Sequence, residues 1–113
     1  MSFQKLSPFT PIDRRLACFG RVLGHPARIE ILRILAARGP IPYADLKESI
    51  PMHAMTLSRH LQYLVRHRCI LGIPDGAKSW FGVDDTRLGR DLAIMKRFLR
   101  GVKGGGREAR GKK

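Results

Sequence analysis

Proline sets the limits on what this chain can fold into. Pro11, Pro26, Pro42 and Pro51 divide its first half. A proline ring carries no N–H and disfavours helix in the residue before it, so no helix can continue through any of these positions. Each can still open a helix, where the missing N–H costs nothing. The spacing predicts a run of short helices rather than one long rod or a large sheet.

Thr10-Pro11-Ile12-Asp13 offers a hydroxyl cap, a first-turn proline and a carboxylate near the free amides of a helix start. Ile12, Leu16, Phe19 and Leu23 then recur on one helical face. Gly24-His25-Pro26 breaks the chain and restarts it, with His25 placed to cap the second helix. From Ala27 to Arg38, apolar residues lie nearly all round, the pattern of a helix buried between others. Gly39-Pro40 ends it. A short helix is predicted over Tyr43 to Ser49 and stops at Pro51, and a fourth runs from about Ala54 to His67. Cys69 to Ile73 and Ser79 to Val83 read as strands around Pro74-Asp75-Gly76, a hairpin with Lys78 at a basic tip. Asp84-Asp85 suits the cap of a last helix, Thr86 to about Arg100, striped by Leu88, Leu92, Met95 and Leu99. The expected organisation is an N-terminal arm (1–10), one domain (11–100) and a basic, Gly-rich disordered tail (101–113).

The fourth helix separates into two faces. Leu57, Leu61, Leu64 and Val65 share one arc, and Met55, Ser58, Arg59, Gln62 and Arg66 the opposite one. Arg can bond a guanine edge bidentately, Gln can bond adenine, and Ser or Thr can reach base or phosphate. A short helix, a tight turn and this helix make a helix-turn-helix, whose second helix enters the major groove. Twenty-two Lys+Arg against nine Asp+Glu give a net charge of +13, which calls for a polyanionic partner. A plain solvated face is the alternative for the helix alone. The charge and the basic hairpin tip favour double-stranded DNA.

Leu23-Gly24-His25-Pro26-Ala27-Arg28-Ile29-Glu30-Ile31-Leu32 resembles the LGHPxRxxIL segment of ArsR-type (arsenical-resistance-repressor-like) regulators. Thr56-Leu57-Ser58-Arg59-His60-Leu61-Gln62-Tyr63-Leu64 is similar to their TVSRHLxxL recognition helix. The resemblance covers about Asp13 to Leu99. It implies a mainly α fold with a small β-hairpin, a winged helix-turn-helix of five helices whose first and last helices form a dimer interface. It also implies a homodimeric repressor on a palindromic operator. The stripes Ile12/Leu16/Phe19/Leu23 and Leu88/Leu92/Met95/Leu99 suit that interface, although either could pack within one subunit. The expected DNA-binding residues are His53, Met55, Thr56, Ser58, Arg59, His60, Gln62, Arg66 and Lys78, with Arg68 a further backbone contact and packing at the domain edge the alternative for His60. Two departures fall before the recognition helix: His53 replaces the usual Ser cap, and Pro51 replaces a frequent Gly.

No metal, cofactor or small-molecule site is expected. The third helix opens without Cys and the last contains no His, so both metal sites familiar in the family are missing. His53, His60 and His67 recur every seven residues, about 10.5 Å along a helix, too far to share a zinc with bonds of about 2 Å. Cys18 has Arg14, Arg15 and Arg21 nearby in sequence, which would favour a thiolate, so a redox role there stands as the alternative to the simpler inert thiol. Cys69 reads as a small core residue. No nucleophile elbow, phosphate loop or zinc-protease motif is present, so no enzyme is expected. Two cysteines with no CxxC, no apolar leader and no membrane-length run predict a soluble, cytoplasmic protein without a membrane partner. An RNA-binding module and a protein-interaction module are the rival readings. Against the first, there is no cluster of aromatics for base stacking.

Overall fold

The computed structural model describes residues 8–111. Five helices and three short strands follow in the order α1 (Pro11–Val22), α2 (Pro26–Arg38), β1 (Ile41–Pro42), α3 (Tyr43–Ser49), α4 (Ala54–Arg66), β2 (Ile70–Asp75), β3 (Lys78–Val83) and α5 (Asp85–Gly111). This is a winged helix-turn-helix. The expected arm falls mostly outside the described residues, as do the last two residues of the expected tail.

The prolines act as the sequence requires. Pro11 and Pro26 open their helices, Thr10 Oγ1 accepts from the Asp13 amide at 3.0 Å, and His25 Nδ1 accepts from the Ala27 amide at 3.0 Å. Gly39 ends α2 at φ 75°, ψ −166°, a conformation open only to glycine. The Asp84 carboxylate accepts from the Arg87 amide and caps α5.

Side chains from every helix meet in one core, with Ile31, Leu35, Leu46, Leu57, Leu64 and Ile70 almost fully buried. Deeply buried aliphatic side chains stabilise by about 1.5–3 kcal/mol each. α2 passes through this core, as its apolar pattern predicts, yet Ile29 and Ala36 face outward.

The sheet is ordered β1-β3-β2 and antiparallel throughout, with Ile41 opposite Phe81, Ile70 opposite Val83 and Asp75 opposite Lys78. The hairpin strands extend further toward the tip than the sequence predicts, turning at Gly76 (φ 61°). Pro74 is accommodated because β2 lies at the sheet edge, where its missing N–H breaks no ladder. β1 was not foreseen. Two residues beside prolines carry no alternation signal, and β1 exists only because β3 pairs with it.

α5 corrects the expected tail. It does not stop at Arg100 but continues to Gly111. Glycine weakens a helix by about 1 kcal/mol per residue but blocks nothing, and residues 101–111 contain no proline to end it. Its first turns pack on α1, where Arg15 Nε meets the buried Asp91 carboxylate at 3.1 Å.

Candidate nucleic-acid interface

The turn between α3 and α4 is set by Ile50 and Pro51. Ile50 is extended and buried, and Pro51 prevents α3 from running on. α4 then buries Leu57, Leu61 and Leu64 against the core, and this one-sided burial decides what the opposite face shows. Met55 is 65% exposed, and Thr56, Arg59, Gln62 and Arg66 are exposed with it. Ser58 is half-buried at the edge. The Arg59 guanidinium reaches back one turn to Met55 Sδ at 3.9 Å, a weak contact that leaves its donors free to turn outward.

Ser58, Gln62 and Arg66 share a groove with Lys78 of the wing. This concavity of about 790 Å³ lies between α3, α4 and the hairpin, with Tyr43, Val65 and Phe81 on its walls. Four residues foreseen as DNA contacts therefore border one space. Tyr43 and Phe81 were not foreseen there, since nothing local says that the start of α3 and β3 lie together opposite α4.

His53 occupies the cap position of α4, is exposed, and makes no capping bond with its side chain. The first-turn amides and the positive end of the helix dipole stay available to an anion from solvent. α4 closes in a Schellman turn. Arg68 N–H bonds Val65 O at 3.0 Å and Cys69 N–H bonds Leu64 O at 2.9 Å. That turn puts Arg68 at φ 62°, the one non-glycine in left-handed backbone among the described residues.

His60 departs from the expected set of contacts. It lies against α2 rather than on the outward face, with Arg28 Nη1 3.3 Å from its Nδ1 and the His25 ring centroid 4.4 Å from its own. Its position in the helix puts it at the boundary between the two arcs, and tertiary packing drew it inward. Burial first, then the charges of His25 and Arg28, hold its pKa below the usual histidine value.

The apolar stripes of α1 and α5 divide between two roles. Phe19 (2% exposed) and Leu88 (7%) are corrected from interface to core, because both point between the helices of their own subunit. Leu23 and Met95 pack partly on that core. Ile12, Leu92 and Leu99 remain 50–58% exposed, and Phe98 and Val102 extend their surface along α5. Leu16 is half-buried and, with Ile12, Ile94 and Phe98, lines a second groove of about 350 Å³ flanked by Arg90 and Arg97.

Two of the three arginines expected around Cys18 have partners elsewhere. Arg14 bonds the Phe9 carbonyl and Arg15 pairs with Asp91. The half-buried Cys18 instead has its sulfur 3.7 Å from His67 Nδ1. Cys69 is fully buried, and burial first, then the charge of Asp91, push its thiol up to about 11. Among the described residues, no three His, Cys, Asp or Glu side chains come together to hold a metal, and no helix is long and apolar enough to cross a membrane.

No family model and no curated protein matches the sequence. Solved structures do match the fold. An ArsR family transcriptional regulator is 17% identical with a TM-score of 0.68, over 81% of this chain and 90% of that one. Rv0081 of M. tuberculosis is 26% identical with a TM-score of 0.63, over 86% of this chain and 97% of its own. The AntR antimony-specific transcriptional repressor is 20% identical with a TM-score of 0.62, over 88% and 94%. The chain thus has the winged helix-turn-helix fold of ArsR-type regulators.

Proposed function

We propose that this chain of ArsR-type fold is a DNA-binding transcriptional regulator, acting as a homodimeric repressor on a palindromic operator. The observation that carries this reading is the outward face of α4. Its polar side chains are turned outward by the burial of Leu57, Leu61 and Leu64, and three of them, Ser58, Gln62 and Arg66, border the same groove as the basic wing residue Lys78. The solved structures of like fold include proteins described as transcriptional regulators, one of them a repressor.

In this reading α4 enters the major groove. Arg59 and Gln62 address base edges, while Met55, Thr56 and Ser58 touch bases or the adjacent backbone near the helix start. Arg66, Lys78 and Arg68 meet phosphates. The uncapped start of α4, with His53, takes one more phosphate on its amides. His60 is left out of the contacting set and serves the helix from behind. The exposed apolar surface of Ile12, Leu92, Leu99 and Phe98 is covered by a second copy, so that two α4 helices face successive turns of the duplex about 34 Å apart.

The test is fluorescence anisotropy on a duplex selected by the protein from a random library and on a scrambled control. Arg59→Ala weakens binding to the selected duplex by about 1–3 kcal/mol and relaxes its sequence preference. Lys78→Ala weakens both duplexes about equally. An Arg59→Ala protein that selects like the parent contradicts the assignment of α4 to the groove.

A further inference from the structure

One guanidinium joins three elements behind the recognition helix. Arg28, in the first turn of α2, donates from Nε to Val22 O at 2.6 Å and from Nη2 to Arg21 O at 2.9 Å, closing the end of α1. Its remaining edge turns to α4, where it lies over the Tyr63 ring at 4.3 Å and meets His60 Nδ1 at 3.3 Å. Arginine has donors only and stays charged, so His60 Nδ1 must be the acceptor and carries no proton. His25 is under the same constraint, because its Nδ1 accepts from the Ala27 amide.

From this arrangement we propose that Arg28 is the positioning residue that holds the recognition helix against α2, and that a proton on His60 releases it. The latch deepens the DNA-binding reading given above and rests on it. A proton on His60 Nδ1 ends the bond from Arg28 and sets a second cation beside the guanidinium, with the His25 ring at 4.4 Å as a third titratable neighbour. From α1 the Val22 and Arg21 carbonyls bond Arg28, α4 adds Tyr63 with the His67 ring 4.4 Å beyond it, and burial first, then the neighbouring His25 and Arg28, disfavour a proton on His60. Above the unfolded histidine pKa of about 6.5 the ring is neutral folded or unfolded, and the latch is whole. As pH falls through that value the unfolded chain takes up the proton first, so stability is lost progressively down to the lower folded pKa. Acid therefore loosens α4 against α2, opposite to the general gain in DNA affinity that added positive charge brings.

The experiment compares the full-length parent with His60→Asn, whose amide oxygen can take Arg28's hydrogen bond and cannot titrate. Melting is followed between about pH 7.5 and 5.5. The parent loses about 4–8 °C more than His60→Asn over this range, the shift expected from one lost hydrogen bond. The ratio of affinities for the selected and scrambled duplexes falls on acidification in the parent and holds in His60→Asn. Superimposable melting profiles overturn the latch. Divergent melting with an unchanged ratio overturns its positioning role. If neither duplex binds at any pH, the assignment of α4 to DNA falls with the positioning role, while the melting curves still report on the latch.

Discussion

Asp91 is the buried charge on which the packing of α1 against α5 turns. It is 5% exposed, and its two oxygens lie 3.1 Å from Arg15 Nε and 3.8 Å from Arg87 Nε. Only the first distance is a hydrogen bond. Arg87 Nε is buried with no bonded partner, so its attraction to Asp91 is coulombic. A hydrogen bond to a charged group contributes about 1.5–3 kcal/mol. Arg15 and Arg87 are each about one-third exposed, so water screens part of that and relieves part of the cost of stranding them. Asp91→Ala should therefore cost about 2 kcal/mol, below the 3–5 kcal/mol seen when a fully buried pair is broken. At about 4–8 °C per kcal/mol for a domain near this size, the melting temperature drops by roughly 8–16 °C. Asp91→Asn keeps an acceptor for Arg15 but no charge and should lose about half as much. Thermal unfolding by circular dichroism reads both. An Asp91→Ala protein melting within about 2 °C of the parent would refute the assignment of this carboxylate as the α1–α5 tie.

Three further outcomes follow from local geometry. Gly39→Ala, at φ 75° and ψ −166°, should lose about 1–3 kcal/mol in urea unfolding, and no loss would mean that the turn relaxes elsewhere. Arg68→Gly should gain about 1 kcal/mol by relieving left-handed backbone while weakening DNA binding on all sequences, a split that a purely structural arginine would not give. Native protein near pH 8 should react with a thiol reagent at Cys18 alone, because Cys69 is fully buried with its thiol pushed up to about 11. Equal reaction at both sulfurs, or none lost in Cys18→Ser, would contradict the burial.

Much of the fold was legible because its signals are local. Prolines and capping groups mark helix starts whether or not the rest of the chain is present, and the two faces of α4 follow from residue spacing alone. What escaped depends on partners distant in sequence. β1 has no pattern of its own, and it is the pairing of Ile41 with Phe81 that sets β3 beside the start of α3, where Tyr43 lines the same groove. Phe19 and Leu88 share a stripe with residues that stay exposed, and periodicity cannot say which part of a stripe its own subunit will cover. His60 belongs to the recognition-helix motif by sequence, yet Arg28 and His25 claim it from α2. The glycines past Arg100 signalled a break, but a glycine is a weak stop where no proline follows.

Selection from a random duplex library followed by a salt series shows whether α4 reads duplex sequence. A reading α4 enriches a palindrome whose half-sites lie about one helical turn apart. The protein then binds that duplex more tightly than a scrambled one at every salt concentration. If about six phosphates are neutralised per dimer, log K falls against log[salt] with a slope near −5 on both duplexes. A library that enriches no sequence, with equal affinity for selected and scrambled DNA, would contradict a sequence-reading α4 and leave a basic winged helix that binds by charge alone.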